Sequence, residues 1–177
     1  MVNKFIQLIL IGTHCLLVSC AIKPSVTNQY TLASFSDKSL APQSSRYSIL
    51  LTPPEALAAY DSVQMLYVNK PFEISSFAHN AWIAPPADML LPLLLETLQR
   101  TGSFYVVATN PYSEKTDYRL DTQLIELQQN FLTRPSEITL KVKFVLTRTS
   151  DKRVIGSQLS YQRIPCPTDT PYGGVLA

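Results

Sequence analysis

Between positions 138 and 147, Ile138, Leu140, Val142, Phe144 and Leu146 fall on every second residue, with Thr139, Lys141, Lys143 and Thr147 between them. Successive side chains of a strand point to opposite faces, so this pattern predicts a long strand with one dry face and one wet face. The segments on either side repeat it. Tyr118, Leu120, Thr122 and Leu124 alternate with Arg119, Asp121 and Gln123, and Ile155, Leu159 and Tyr161 follow the turn-like Ser150-Asp151-Lys152-Arg153. Long neighbouring strands joined by short polar connections predict an antiparallel meander, solvated on one side. Shorter strands are expected upstream. Tyr47 to Thr52 is stopped by Pro53-Pro54, Val63 to Val68 and Phe72 to Phe77 flank Asn69-Lys70-Pro71, and Phe104 to Ala108 is a short apolar run.

One segment breaks the period-two pattern. In Asp88 to Arg100, Leu91, Leu94, Leu95 and Leu98 stand at helical spacing and predict one buried stripe. Asp88 is positioned to cap the start and Gly102 to terminate the helix, while Pro92 predicts a kink or a later start. The expected fold class is therefore α/β of the α+β type: a largely antiparallel sheet with one main helix, about Asp88–Arg100, packed on one face. Gly173-Gly174 is expected to be a turn.

The first residues describe export. Lys4 precedes a mostly apolar stretch from Phe5 to Val18, too short for a bilayer-spanning helix of about 20 residues but suited to a secretory signal. The stretch ends in Leu17-Val18-Ser19-Cys20, which resembles the lipobox of bacterial lipoproteins. By that resemblance residues 1–19 are removed and the Cys20 thiol carries a diacylglycerol group. Two or three acyl chains on one residue would hold the protein firmly to its membrane, since one chain alone anchors only marginally. Ala21 follows, not the aspartate associated with inner-membrane retention, so the outer membrane is expected. Residues 20–45 are rich in Ser, Thr, Asn, Gln and Pro and read as a tether, with Tyr30 and Leu32 as a short edge strand. Residues 46–177 are expected to form a single periplasmic domain.

Removing 19 of the 177 residues leaves 158, enough for one ordinary core. Losing Lys4 takes the formal charge from +2 to +1, which gives no basic face for nucleic acid. Of three cysteines, Cys15 leaves with the signal and Cys20 takes lipid. Cys166 remains, read as a small buried hydrophobe, with an intermolecular disulfide as the sharper alternative.

Catalytic patterns are missing. His79 is the one histidine of the mature chain, and there is no GxSxG elbow, glycine-rich phosphate loop or metal-ligand spacing. His79 beside Asn80 reads as a surface or loop residue, Trp82 as a core or interface anchor, and Glu114, Lys115 and Asp117 as a solvated charged loop. No enzyme activity, metal or cofactor is expected beyond the covalent lipid on Cys20.

In their order, these segments resemble the ABC-type transport auxiliary lipoprotein family, the PqiC-like proteins. The resemblance rests on Tyr30-Thr31-Leu32 after the lipobox, on the strand and prolines of Ser48 to Pro54, and on Ala59 to Met65. It continues with Asn80-Ala81-Trp82-Ile83-Ala84-Pro85-Pro86 at the helix entry, the three alternating strands, and Pro171 to Val175. Asn80 stands where the family carries a basic residue, and no acidic residue follows Trp82. The family pattern goes on into an amphipathic C-terminal helix. Here that helix is expected to be absent or truncated, which would leave a patch of the sheet uncovered.

The resemblance implies a periplasmic component of an ABC transport system with MCE-type lipid-binding subunits, moving phospholipids or other apolar molecules between the two membranes. The lipoprotein would act as adaptor to the MCE-type subunit, and the family's ring-like self-assembly makes homo-oligomers a further expectation. Two alternatives stay open: a domain that itself carries lipid, its leucines from Leu90 to Leu98 lining a cleft, and a pilotin-like assembly or secretion lipoprotein.

Overall fold

The computed structural model describes residues 28–33, 46–109 and 116–177. The signal segment, Cys20, most of the tether, Glu114 and Lys115 lie outside the described residues. Nine strands, β1 (Asn28–Tyr30), β2 (Ser48–Leu51), β3 (Glu55–Ala56), β4 (Gln64–Lys70), β5 (Glu73–Trp82), β6 (Val106–Ala108), β7 (Tyr118–Asn130), β8 (Glu137–Arg148) and β9 (Arg153–Pro165), form one mixed sheet. Among the described residues two α-helices accompany it, α1 (Pro86–Thr101) and α2 (Pro171–Leu176).

Strand β7 organises the sheet. Along one edge it pairs antiparallel with β8 over its whole length, and β8 pairs in the same sense with β9. This is the meander predicted by the alternating residues. Along its other edge β7 receives β2, β3 and β4 in succession, all parallel: Leu51 faces Leu120, Ala56 faces Leu124 and Val68 faces Asn130. Residues 48–70 thus run beside β7 as one interrupted strand. Pro53 and Pro54 explain the interruption, since neither has an N–H to give to a ladder. Pairing resumes at once, with Leu57 N donating to Leu124 O at 3.0 Å. Strands β4 and β5 form the expected hairpin, and β1 adds to β5 in parallel, Tyr30 opposite Trp82.

The core lies where β2, β7 and β8 stack their inward residues: Ile49, Leu51 and Leu124 are essentially inaccessible, and Val142 is 5 % exposed. Burying each such side chain contributes about 1.5–3 kcal/mol. A second cluster, Met65, Trp82 and Met89, gathers Tyr30, Leu32, Phe77, Leu127 and Val175 around it.

Helix α1 differs from expectation at its start and in its middle. It begins at Pro86, because proline at the first helical position supplies a fitting φ and lacks only a donor that would be unpaired anyway. Asp88 makes no capping hydrogen bond. It lies inside the first turn, where its charge opposes the positive end of the helix. Pro92 neither ends the helix nor delays it. The missing bond is the one to Asp88 O, and both residues are exposed, so that carbonyl lies on the solvent side of the helix. Gly102 terminates the helix as predicted, at φ 62°. The stripe leucines are only half-buried, and the fully buried residues of α1 are Pro86, Ala87 and Met89.

Two further corrections concern the C-terminal third. Gly173-Gly174 lies inside α2, a short helix, and not in a turn. The C-terminal helix, expected to be absent or truncated, is this single short one. On β9, Leu159 and Tyr161 occupy the opposite face from the apolar residues of β8, while Ile164 shares theirs opposite Ile138. Leu159 stands across from Lys143 and Tyr161 from Lys141, while Ser160 stands across from Val142 and Gln162 from Leu140. Directly opposed residues share a face, so Leu159 and Tyr161 project from the outer side of the sheet.

Candidate functional site

On the inner side of the sheet a partly open cavity of about 380 Å³ lies between α1 and the β7–β8–β9 meander. Leu90 and Leu93 of α1 form one wall, and Leu127, Ile138, Leu140 and Ile164 of the three strands form the facing one. Leu32, Met65 and Trp82 close one side, Gly174, Val175 and Ala177 another. Each segment is placed for a local reason. Leu127, Ile138 and Leu140 belong to the inward set of β7 and β8 by their register, and Leu32 follows the β1 residues paired to β5. Sealed and empty, such a void would cost about 9 kcal/mol at roughly 24 cal/mol per Å³, which rivals the whole stability of a domain at about 5–15 kcal/mol. Water is a poor filler of most of it, because a buried water needs two to four polar partners and these walls are mainly hydrocarbon.

Thr31, Gln128 and Gln129 are the polar residues of the lining, and Gln129 is the buried one. It lines the cavity on the inner face of β7 and is 2 % exposed. Its Nε2 donates to Ser136 Oγ at 3.0 Å and to Thr170 O at 3.1 Å, and lies 3.6 Å from Cys166 Sγ. The Thr170 carbonyl can only accept, which fixes which end of the amide is nitrogen. The other end, Oε1, is buried without a hydrogen-bond partner. Buried polar atoms are nearly always paired, so an unpaired one requires a cause. Gly174 lies beside it: a Cβ there would sit 2.8 Å from Gln129 Oε1.

The C-terminal wall is fastened to the β7–β8 turn. Ser136 N donates to Asp169 Oδ1 at 2.6 Å and Cys166 N to Ser136 O at 2.7 Å. The bond from Ser136 holds the Asp169 carboxyl below the usual carboxylate range, with Arg134 adding to the effect. Thr170 caps α2 by accepting from Gly173 N at 3.0 Å. Gly173 has no alternative, since a side chain there would overlap the Thr168 carbonyl.

A second surface lies at the sheet edge. Among the described residues β9 pairs with β8 alone, leaving its other edge open. From Val154 to Gln162 it carries no charge, and Val154, Leu159 and Tyr161 are exposed. Proteins usually blunt a long edge strand with charge or proline. Here Arg153, Arg163 and Pro165 stand only at its ends. At the β4–β5 tip Phe72 is fully exposed at φ 65°.

The residues singled out from sequence fall in several places. Trp82 is a core anchor, 6 % exposed, and a cavity wall. His79 is exposed on β5. Cys166 is 3 % exposed, packed beside Gln129 and out of reach of a second molecule's thiol. Asp117 is not merely a solvated loop charge. It accepts from Ser48 N at 2.7 Å and Ser48 Oγ at 2.8 Å, which ties the start of β2 to that of β7 and lowers its pKa. Among the described residues no three His, Cys, Asp or Glu side chains gather as metal ligands, and no helix is long and apolar enough to cross a membrane. Gln129 and Gly174 carried no signal of their own in the sequence.

Comparison with known proteins follows the same outline. The fold is similar to a crystal structure of a Xanthomonas campestris protein of the DUF330 family, at 20% identity, 85% coverage of both chains and a TM-score of 0.73. It is also similar to a solved protein described only as uncharacterized, at 12% identity, covering 85% of this chain and 88% of that one, TM-score 0.67. No curated protein matches the sequence. The sequence profile described as "ABC-type transport auxiliary lipoprotein component" matches residues 30–177, from the strand that enters the cavity wall to the helix that closes it. The chain belongs to the family of ABC-type transport auxiliary lipoprotein components.

Proposed function

We propose that this protein is a lipid-anchored adaptor, held at the periplasmic face of the outer membrane through Cys20, which docks an MCE-type subunit of an ABC transporter moving phospholipids or other apolar molecules. Family membership supports the transport role, and the lipobox at Leu17 to Cys20 supports the anchor. The observation that carries the adaptor reading is the open edge of β9. A thirteen-residue strand with nine consecutive uncharged residues and unpaired backbone groups can take up an added strand. Its outer-face Leu159 and Tyr161 supply apolar contacts on alternate positions. Arg163 and Lys141, both close to the Tyr161 ring and paired with Glu137 and Glu126 respectively, give that surface a charge-balanced polar rim.

The adaptor carries no catalytic step and needs no cofactor beyond the acyl chains on Cys20. Ring assembly of several copies is part of this reading, with the tether setting the distance from the membrane: ten extended residues reach about 33 Å at about 3.3 Å each. Affinity purification of the full chain with its anchor intact tests it. Co-purification of an MCE-type subunit with its permease and ATPase is expected. Recovery of an exported enzyme or secretin instead would overturn it in favour of a pilotin-like role.

A further inference from the structure

We propose that the cavity between α1 and the β7–β8–β9 meander binds one acyl chain of an amphiphile whose head presents a hydroxyl or amine to Gln129. The inference goes beyond the adaptor reading and does not depend on it, since an adaptor functions with or without a ligand in this space. Three observations on the cavity select the occupant.

The first is size. At about 380 Å³ the space lies at the small end of the roughly 300–1,000 Å³ typical of small-molecule sites. The second is the wall. Leu90, Leu93, Leu127 and Leu140 offer no donors or acceptors. An extended peptide would bring a row of backbone N–H and C=O groups that these walls leave unpaired. A methylene chain brings none. The third is Gln129, whose Oε1 lacks a partner although the residue is 2 % exposed. A pure hydrocarbon would leave that acceptor as it stands, whereas a hydroxyl or amine donor completes it. Gly174 lies directly beside Oε1, where a Cβ would stand 2.8 Å from it.

Trp82, the sole tryptophan of the chain, lines the cavity and reports on occupancy. Bromine on an acyl chain quenches indole fluorescence on contact. The test titrates the full mature lipoprotein, reconstituted in unbrominated vesicles, with a chain-brominated monoacylglycerol. Parallel titrations use the matching fatty-acid methyl ester, which has no donor, and vesicles of a chain-brominated two-chain phosphatidylethanolamine. Saturable quenching by the monoacylglycerol is expected, about tenfold tighter than by the ester and reversed by unbrominated monoacylglycerol. Quenching by the phosphatidylethanolamine identifies a membrane lipid as a further source of the chain. Leu93→Phe and Leu140→Phe, which fill the cavity, should each weaken binding severalfold. Quenching seen only after Cys20→Ser supports an acyl chain in the cavity and identifies its source as the protein's own anchor. No saturable quenching in either protein overturns the proposal, as does quenching that unbrominated competitor does not reverse. An ester that binds as tightly as the monoacylglycerol overturns the assignment of Gln129.

Discussion

Gln129 on β7 donates through Nε2 to the Thr170 carbonyl just ahead of α2, across 3.1 Å and 41 residues of chain. This bond holds the C-terminal side of the cavity onto a strand that forms one of its walls. Gln129→Leu keeps the size and removes the bonds to Ser136 and Thr170. At about 0.5–1.5 kcal/mol per hydrogen bond, a loss of roughly 1–3 kcal/mol is expected in denaturant unfolding. Hydrogen exchange should accelerate first in residues 166–177.

Gly173→Ala tests the close approach of α2 to its preceding loop. The added methyl overlaps the Thr168 carbonyl, which is backbone and cannot swing aside. A destabilisation of about 1–3 kcal/mol is expected, read as a lower melting temperature by circular dichroism. The control is Gly156→Ala, whose Cβ would meet only Leu146 Cβ at 3.9 Å.

Acid should loosen the domain at two known places. Asp117 and Asp169 both have pKa values lowered in the folded protein by hydrogen bonds, from Ser48 and Ser136 respectively. A depressed carboxylate stabilises the fold fully above the ordinary value near 3.9, and the contribution disappears as pH falls through the lower folded value. Stability should therefore fall on acidification below about pH 4. Asp169→Asn should flatten that part of the profile, measured as urea midpoint against pH.

Leu124→Ala probes the centre of the sheet. Leu124 is 0 % exposed and lies between β3 and β8 on the inner face. Truncating a fully buried leucine costs about 2–5 kcal/mol, which chemical denaturation would measure directly. Leu159→Lys, on the outer face of β9, should change stability by less than about 0.5 kcal/mol while weakening capture of the transporter subunit.

Much of this architecture was legible because single segments declare themselves. The alternation at Ile138 to Leu146 and the leucine spacing in α1 each name their own element. What could not be read depends on relations between segments. Ile155, Leu159 and Tyr161 look like a core-facing set, yet register is a property of two strands, and pairing Leu159 with Lys143 turns it outward. The Gly173-Gly174 pair suggested a turn because glycine disfavours helices. Its real cause is contact, with Thr168 and Gln129 too near for side chains. The cavity was partly foreseen in the suggestion that Leu90 to Leu98 line a cleft, but only Leu90 and Leu93 of that run do so. The segments that resemble the family meet there: Leu32, Met65, Trp82 and Val175 come from four of them and pack together.

The central claim, that β9 docks the anchored domain onto a transporter subunit, is tested most directly by a photocrosslinking amino acid placed at Tyr161 in living cells. The account predicts a dominant adduct with an MCE-type periplasmic subunit, weakened by Leu159→Lys and matched by no adduct from an equivalent probe at His79. A probe at Tyr161 that captures only other copies of this chain, or no protein at all, would contradict it.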